Sequence, residues 1–260
     1  MQLISFKKMS IFLTFLFTFL LFLSISSLIL VPKFEDVLSS IFNPEMIYSL
    51  KVSLYSSLIS TGIVLGFSIP TGYAISRYSF PGKSIVKAIL DLPIAFPELV
   101  LGLALLLLFG QTFIGDILEF FGIKVVFTKL GIVVAQIFTA LPYAIRIVCS
   151  TFQDINPRYE LVSRSLGYSE FETFKNVTLP MARSGIFASS IIAFARCMGT
   201  FGTVLMLAGG TYMYTETLPI TLYLNMSYGN LGMAISSGIV LLMISFIAIL
   251  IFEKYEGGKF

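Results

Sequence analysis

The sequence predicts an all-α integral membrane protein: six transmembrane helices with a two-helix elbow between the fourth and fifth. Three observations lead there. Of 260 residues, 57% are hydrophobic and 12% charged, and the mean hydropathy of +0.93 lies well outside the range of soluble domains. Six stretches, residues 11–31, 50–73, 89–109, 130–150, 183–207 and 230–252, are long enough to cross a hydrocarbon core of about 30 Å at about 1.5 Å per residue. A polar, glycine-split, proline-ended segment, residues 160–180, interrupts this apolar chain between the fourth and fifth stretches. A soluble protein of this length would have to hide every one of those stretches in a single core.

The organisation reads as an N-terminal helix and external loop over residues 1–49, a five-helix core over 50–252 and a tail over 253–260. The first stretch follows Lys7 and Lys8, is longer than the apolar run of a signal peptide and precedes no A-x-A site, so it is expected to stay as a helix. The third opens on Pro93 and Pro97, which free backbone carbonyls and are tolerated at membrane depth only beside protein or a wet cavity. Glu98 follows directly, and Arg196 lies within the fifth stretch. Each costs at least about 2.5 kcal/mol in hydrocarbon, so both should face the bundle interior. Two readings stand: they pair with one another or with Asp91, or they line a solute path. Gly199, Thr200, Gly202 and Thr203 form a small-residue face that suits close helix packing or a narrow pore. Cys149 and Cys197 fall inside predicted spans and suggest neither a disulfide framework nor a metal site.

Basic residues set the orientation. With the N-terminus inside, twelve of the 17 Lys and Arg fall on inner segments, four (Lys33, Lys51, Lys124, Lys129) on outer ones, and Arg196 within a span. Both ends are therefore expected in the cytoplasm. The net charge of +3 then reflects topology and does not suggest nucleic-acid binding.

The elbow follows from helix signals. Asn156 and Pro157 are a good N-cap and first residue for a helix over 157–166, and Gly167 ends it in the left-handed conformation. Ser169 and Glu172 have capping-box spacing for a second helix, and Pro180 should start the next span. Tyr159, Val162 and Leu166, then Phe171, Phe174 and Val177, make apolar stripes. Such an elbow suits the transmission of force from a cytoplasmic partner, or an amphipathic hairpin lying on lipid.

Enzymatic signals are lacking. With no histidine in the chain, there is no Ser-His-Asp triad, H-E-x-x-H site or histidine-ligated metal. "PGKS" at residues 81–84 is not a P-loop, because Arg77 stands where the first glycine would be needed, and a tight turn is expected there.

The run "ELVSRSLGYSEFETFKNVTLP" resembles the cytoplasmic signature loop of ABC importer permeases, E-A-A-x3-G-x9-I-x-L-P. Gly167, Val177, Leu179 and Pro180 fall at the family positions, with Val177 for isoleucine; the E-A-A positions are Leu161, Val162 and Ser163, and an acid stands one place earlier at Glu160. "DLPIAFPELVLGLALLLLFG", "ALPYAIRIVCSTFQDINPR" and "FARCMGTFGTVLMLAGG" look like the molybdate and tungstate branch, with the sulfate branch a close relative; those relatives often carry an acid where Thr200 stands. The resemblance implies a type I ABC importer permease with a coupling loop at about 151–182. Its ATPase-coupling residues would be Glu160, Ser163, Arg164, Gly167, Tyr168, Val177, Leu179 and Pro180. It also implies a homodimer in the cell membrane, two ATPase subunits that bind the ATP and magnesium, an external substrate-binding protein, and no cofactor on this chain. The candidate path residues are Pro93, Pro97, Glu98, Arg196, Gly199 and Thr200. A sulfate or thiosulfate permease and an ion-coupled secondary transporter are the alternatives; the latter needs internal repeats and several intramembrane acids, which the sequence lacks.

Overall fold

The computed structural model describes residues 6–30 and 34–256, and the described residues form helices and turns with no strand. Helix α1 (Phe6–Leu30) is largely apolar and exposed, and touches the last helix, Leu231–Glu256. A short helix, α2 (Phe34–Ile41), lies where the sequence predicts an external loop. Helix α3 (Pro44–Arg77) starts sharply, because Asn43 accepts the backbone N–H of Glu45 and Pro44 takes the first helical position. At 34 residues it is about 50 Å long and overshoots a bilayer core. The turn after it is the one expected at "PGKS": Gly82 has φ +78° and Lys83 N–H bonds back to the Phe80 carbonyl.

The third predicted stretch is not one helix. It divides into α4 (Lys83–Ala95) and α5 (Glu98–Gly110), bent by 115°. The cause is Pro97, which forces the preceding Phe96 out of the helical region to ψ 142°. Pro93, by contrast, sits inside α4. Beyond α5 come α6 (Phe113–Phe120) and α7 (Lys129–Asp154), each opened by a threonine side-chain cap, Thr112 and Thr128.

The elbow comprises α8 (Arg158–Ser165), α9 (Glu170–Thr173), a π turn over Phe174–Thr178 and α10 (Leu179–Met181). Pro180 does not begin the next span as predicted. It lies in the last turn of the elbow, and the chain bends by 72° before α11 (Arg183–Gly199). The π turn just ahead of Pro180 re-registers the backbone where the proline cannot donate. The fifth stretch is also divided: α11 ends at Gly199 and α12 (Gly202–Ala208) starts after a break at Thr200 and Phe201. Helices α13 (Leu218–Ser227) and α14 (Leu231–Glu256) complete the chain; residues 257–260 of the predicted tail lie outside the described residues.

Among the described residues four unbroken helices, α1, α3, α7 and α14, are long and apolar enough to span a membrane, and the number rises to six if each bent pair, 83–110 and 170–199, counts as one span; the second pair takes in part of the elbow and stops short of the predicted 183–207. Helices α3, α7 and α11 pack around Val64, Ala140, Ala144, Ala193 and Cys197. Lipid offers no hydrophobic drive to bring helices together, so close approach by small residues and buried hydrogen bonds must do it. A stripe of buried serines on α3, Ser49, Ser53, Ser56, Ser57 and Ser60, provides both. A second cluster joins α5, α7 and α12 through Leu101, Leu105, Ile132, Val204 and Leu207. Cys149 and Cys197 are buried free thiols.

Candidate functional site

Two places concentrate the predicted residues. At the elbow, Asn156 accepts the N–H of Arg158, and the chain leaves α8 through Gly167 at φ +94°. The capping box forms in full: Ser169 Oγ accepts the Glu172 N–H, while Glu172 Oε2 accepts the Ser169 N–H at 2.8 Å. Ser163 and Thr173 hydroxyls meet at 3.0 Å and tie α8 to α9. Tyr73 of α3, Phe152 of α7 and Phe174 of the π turn stack edge to face, so the elbow is seated on the bundle by an aromatic cluster. On the far side Leu161, Val162, Leu166 and Phe171 are exposed, Leu166 by 75% and Phe171 by 71%. Tyr159 and Tyr168 are exposed as well, whereas Val177 and Leu179 are half-buried.

Glu160 points inward. Its Oε1 accepts Arg77 Nε at 2.8 Å and Thr178 Oγ1 at 3.0 Å, and its Oε2 accepts the Tyr73 hydroxyl at 3.3 Å. Nearby, the Tyr78 hydroxyl donates to Glu170. That bond, and then burial, holds the Tyr78 phenol pKa above its ordinary value.

The second place is the break in the fifth stretch. An interrupted helix leaves carbonyls and N–H groups unpaired, which hydrocarbon cannot satisfy. Here distant side chains reach groups on both sides, and the Thr200 N–H turns back to the Cys197 carbonyl at 3.3 Å. Gln136 of α7 donates from Nε2 to the Cys197 carbonyl at 3.1 Å, near the end of α11. Glu98, the first residue of α5, accepts the N–H groups of Phe201 at 3.2 Å and Gly202 at 3.1 Å, at the start of α12. Thr203 Oγ1 also donates to the Glu98 carbonyl. The two hydrogens of Gln136 Nε2 are shared among the Cys197 carbonyl and the Ser56 and Ser57 hydroxyls, and its Oε1 accepts from Ser60.

Arg196 is held differently. Its guanidinium lies over the Tyr143 ring at 4.4 Å and Nη2 donates to the Tyr143 hydroxyl at 3.1 Å, while the nearest Glu98 oxygen is 3.9 Å away. Its buried Nε has no hydrogen-bond partner among the described residues, and 39% of the side chain is exposed. Asp91 is not its counter-ion, because Arg146 engages that carboxylate with two bonds, at 2.9 and 3.1 Å. Thr200 is buried and bonds back to the Arg196 carbonyl; Gly199 is exposed. Pro97 is exposed at the mouth of the first break, with Pro93 half-buried one turn earlier.

Residues 59–256 match the family of binding-protein-dependent transport system inner membrane components. The chain belongs to this family. A molybdate/tungstate transport system permease protein of Methanocaldococcus jannaschii is 35% identical over 253 residues, covering 96% of this chain and 97% of that one. A sulfate transport system permease protein of Salmonella typhimurium is 33% identical over 185 residues, 71% of this chain and 67% of that one. In fold, a bacterial alginate ABC transporter chain matches with a TM-score of 0.75 over 95% of this chain and 94% of that one, at 17% identity. A chain of the MetNI methionine ABC transporter matches at 0.61 over 82% and 97%, at 16% identity.

Four residues to which the sequence gives no site role hold these two places together: Arg77, Gln136, Tyr143 and Arg146. Each is polar in an apolar stretch or at its end, and that rarity was the signal available. What the sequence could not supply was the partner. Gln136 and Cys197 lie 61 residues apart, and Arg77 and Glu160 lie 83 apart.

Proposed function

We propose that this permease is the translocation subunit of an ATP-driven importer for a tetrahedral oxyanion, molybdate or tungstate. The observation that carries the reading is the 35% identity, over nearly the full length of both chains, with a permease named for those two anions. The subunit hydrolyses nothing itself. It works in the cell membrane as a homodimer, with both termini cytoplasmic, two ATPase subunits below the elbows and a binding protein outside. The exposed Leu161, Val162, Leu166 and Phe171, with Arg164 and Tyr168 beside the Gly167 turn, are the docking face for the ATPase. Arg196 is the candidate anion contact: it carries a charge within the bundle, its nearest carboxylate is already engaged by two backbone N–H groups, and 39% of its side chain is exposed.

The test is uptake by the complex reconstituted with its ATPase and binding protein. Molybdate uptake that tungstate competes away and sulfate does not is the expected result; sulfate-driven uptake would move the assignment to the sulfate relatives. Arg196→Met should assemble normally and lose uptake, with Arg196→Lys partly active. If Arg196→Met instead fails to assemble and Glu98→Gln rescues it, the pair is structural and the path role is wrong. Orientation is checked separately: a cysteine at Ser169 should be shielded from an impermeant thiol reagent in intact cells and one at Asp116 should react.

A further inference from the structure

The elbow is continuous with α11 through α10, a covalent link that turns by 72° around Ala182. A second attachment stands on the opposite side. Around the Glu160 carboxylate converge α3, through Arg77 and Tyr73, and the π turn, through Thr178. Arg77 also donates from Nη2 to the Ile155 carbonyl at 2.9 Å, on the link between α7 and α8. The two charged side chains are 9% and 13% exposed.

We infer that Arg77 and Glu160 form a coupling strut, which delivers movement of the elbow into α3 as well as into α11. Three observations carry it. First, the docking and transmitting surfaces are on opposite faces of α8: Leu161, Val162 and Leu166 stand out to solvent while Glu160 is turned inward. Second, the pair is largely desolvated, and parting the two would leave each charge buried and uncompensated, so a displacement of one side chain draws the other with it. Third, α3 is one unbroken helix that carries Arg77 at its end and, farther up, the serines that hold Gln136 and through it the broken end of α11. A shift of α3 along its axis would therefore be felt at the break.

The inference rests on the elbow being the ATPase docking site, and the experiment separates the two. The full complex is reconstituted with Arg77→Met, Glu160→Gln and the exchanged pair Arg77→Glu with Glu160→Arg, using molybdate and sulfate as transport probes. Bound ATPase per permease, ATP turnover and uptake are each measured per assembled complex. The strut predicts normal ATPase binding in both single variants, with ATP consumed per anion transported rising by about fivefold or more. The exchanged pair should recover part of the loss. An unchanged ratio of turnover to uptake in both single variants, or loss of bound ATPase, would overturn the strut. The docking reading has its own control: Leu166→Glu with Phe171→Glu should release the ATPase, and if it does not, the elbow is not the docking site and the strut falls with it.

Discussion

The chain interrupts two of its membrane-crossing segments, and the two interruptions have different origins. Between α4 and α5 the break is local: Pro97 keeps Phe96 extended, and any chain with this sequence would be reluctant to run straight through. Between α11 and α12 there is no proline. Residues 196–205, RCMGTFGTVL, contain two glycines and two threonines but nothing that forbids a helix. That break exists because distant side chains satisfy the groups it exposes, Gln136 on the carbonyl side and Glu98 on the N–H side. The first break also builds the second, since Glu98 is delivered to α12 by being the first residue after Pro97. A helix can thus be broken by what its own sequence prohibits or by what the rest of the fold rewards.

The comparison is most severely tested at Glu98. Glu98→Leu removes the acceptor for two N–H groups in a partly buried place. At about 1–3 kcal/mol for each donor stranded, less where solvent reaches it, a loss of about 2–4 kcal/mol is expected. It should appear as a large fall in thermal midpoint of the detergent-purified protein. Glu98→Gln keeps a carbonyl oxygen to accept with and should lose far less. If leucine were tolerated as well as glutamine, the second break would be as local as the first.

The same contrast explains what could be read in the sequence. The apolar stretches, the left-handed Gly167 and the capping box depend on neighbours within a few residues, and the sequence displays them; Pro97 is visible as a source of freed carbonyls, but the division into α4 and α5 is not. Glu98 and Arg196 are identifiable from the sequence as costly charges in an apolar segment, and their pairing is one of the two readings it offers. The fold sets them 3.9 Å apart but also uses Glu98 as a backbone cap and lays Arg196 on Tyr143, contacts that have no local signal. Pro180 was misplaced for the same reason: a π turn is a matter of how Phe174 seats against Tyr73 and Phe152, and no local signal announces it.

Packing around the second break gives a smaller effect. A methyl group added at Gly102 on α5 would lie 2.9 Å from the Thr203 Cα of α12 and 2.8 Å from Met206 Cβ, so Gly102→Ala must push the two half-helices apart at about 1–3 kcal/mol. At Gly199, on the other side of the break, nothing lies within 4 Å of an added Cβ, and Gly199→Ala should change the thermal midpoint little. Equal effects from the two would mean that α5 and α12 are not held as one unit.

The smallest effect is expected at the break that looks most obligatory. Pro97→Ala frees Phe96 to become helical, and on local grounds α4 and α5 should then fuse. Two contacts oppose this in the fold. Asp91 ties α4 to Arg146 on α7 by a two-bond ion pair, and Glu98 is held at the start of α12 by two N–H groups. Fusing the helices would break one or both, at a cost larger than the modest gain in helix continuity, so the bend should persist and stability should shift by about 1 kcal/mol or less. The bend can be measured directly with spin labels at Ile89 and Leu103, both exposed, because the two cysteines already present are buried. A straight helix would place the labelled backbone positions about 21 Å apart at about 1.5 Å per residue, and the 115° bend brings them much closer. Pro97→Ala should leave the short distance in place, and adding Glu98→Leu should lengthen it. A distance that lengthens with Pro97→Ala alone would show that the first break is held only by its proline, and that the cap on α12 borrows its position from a local constraint with no tertiary support of its own.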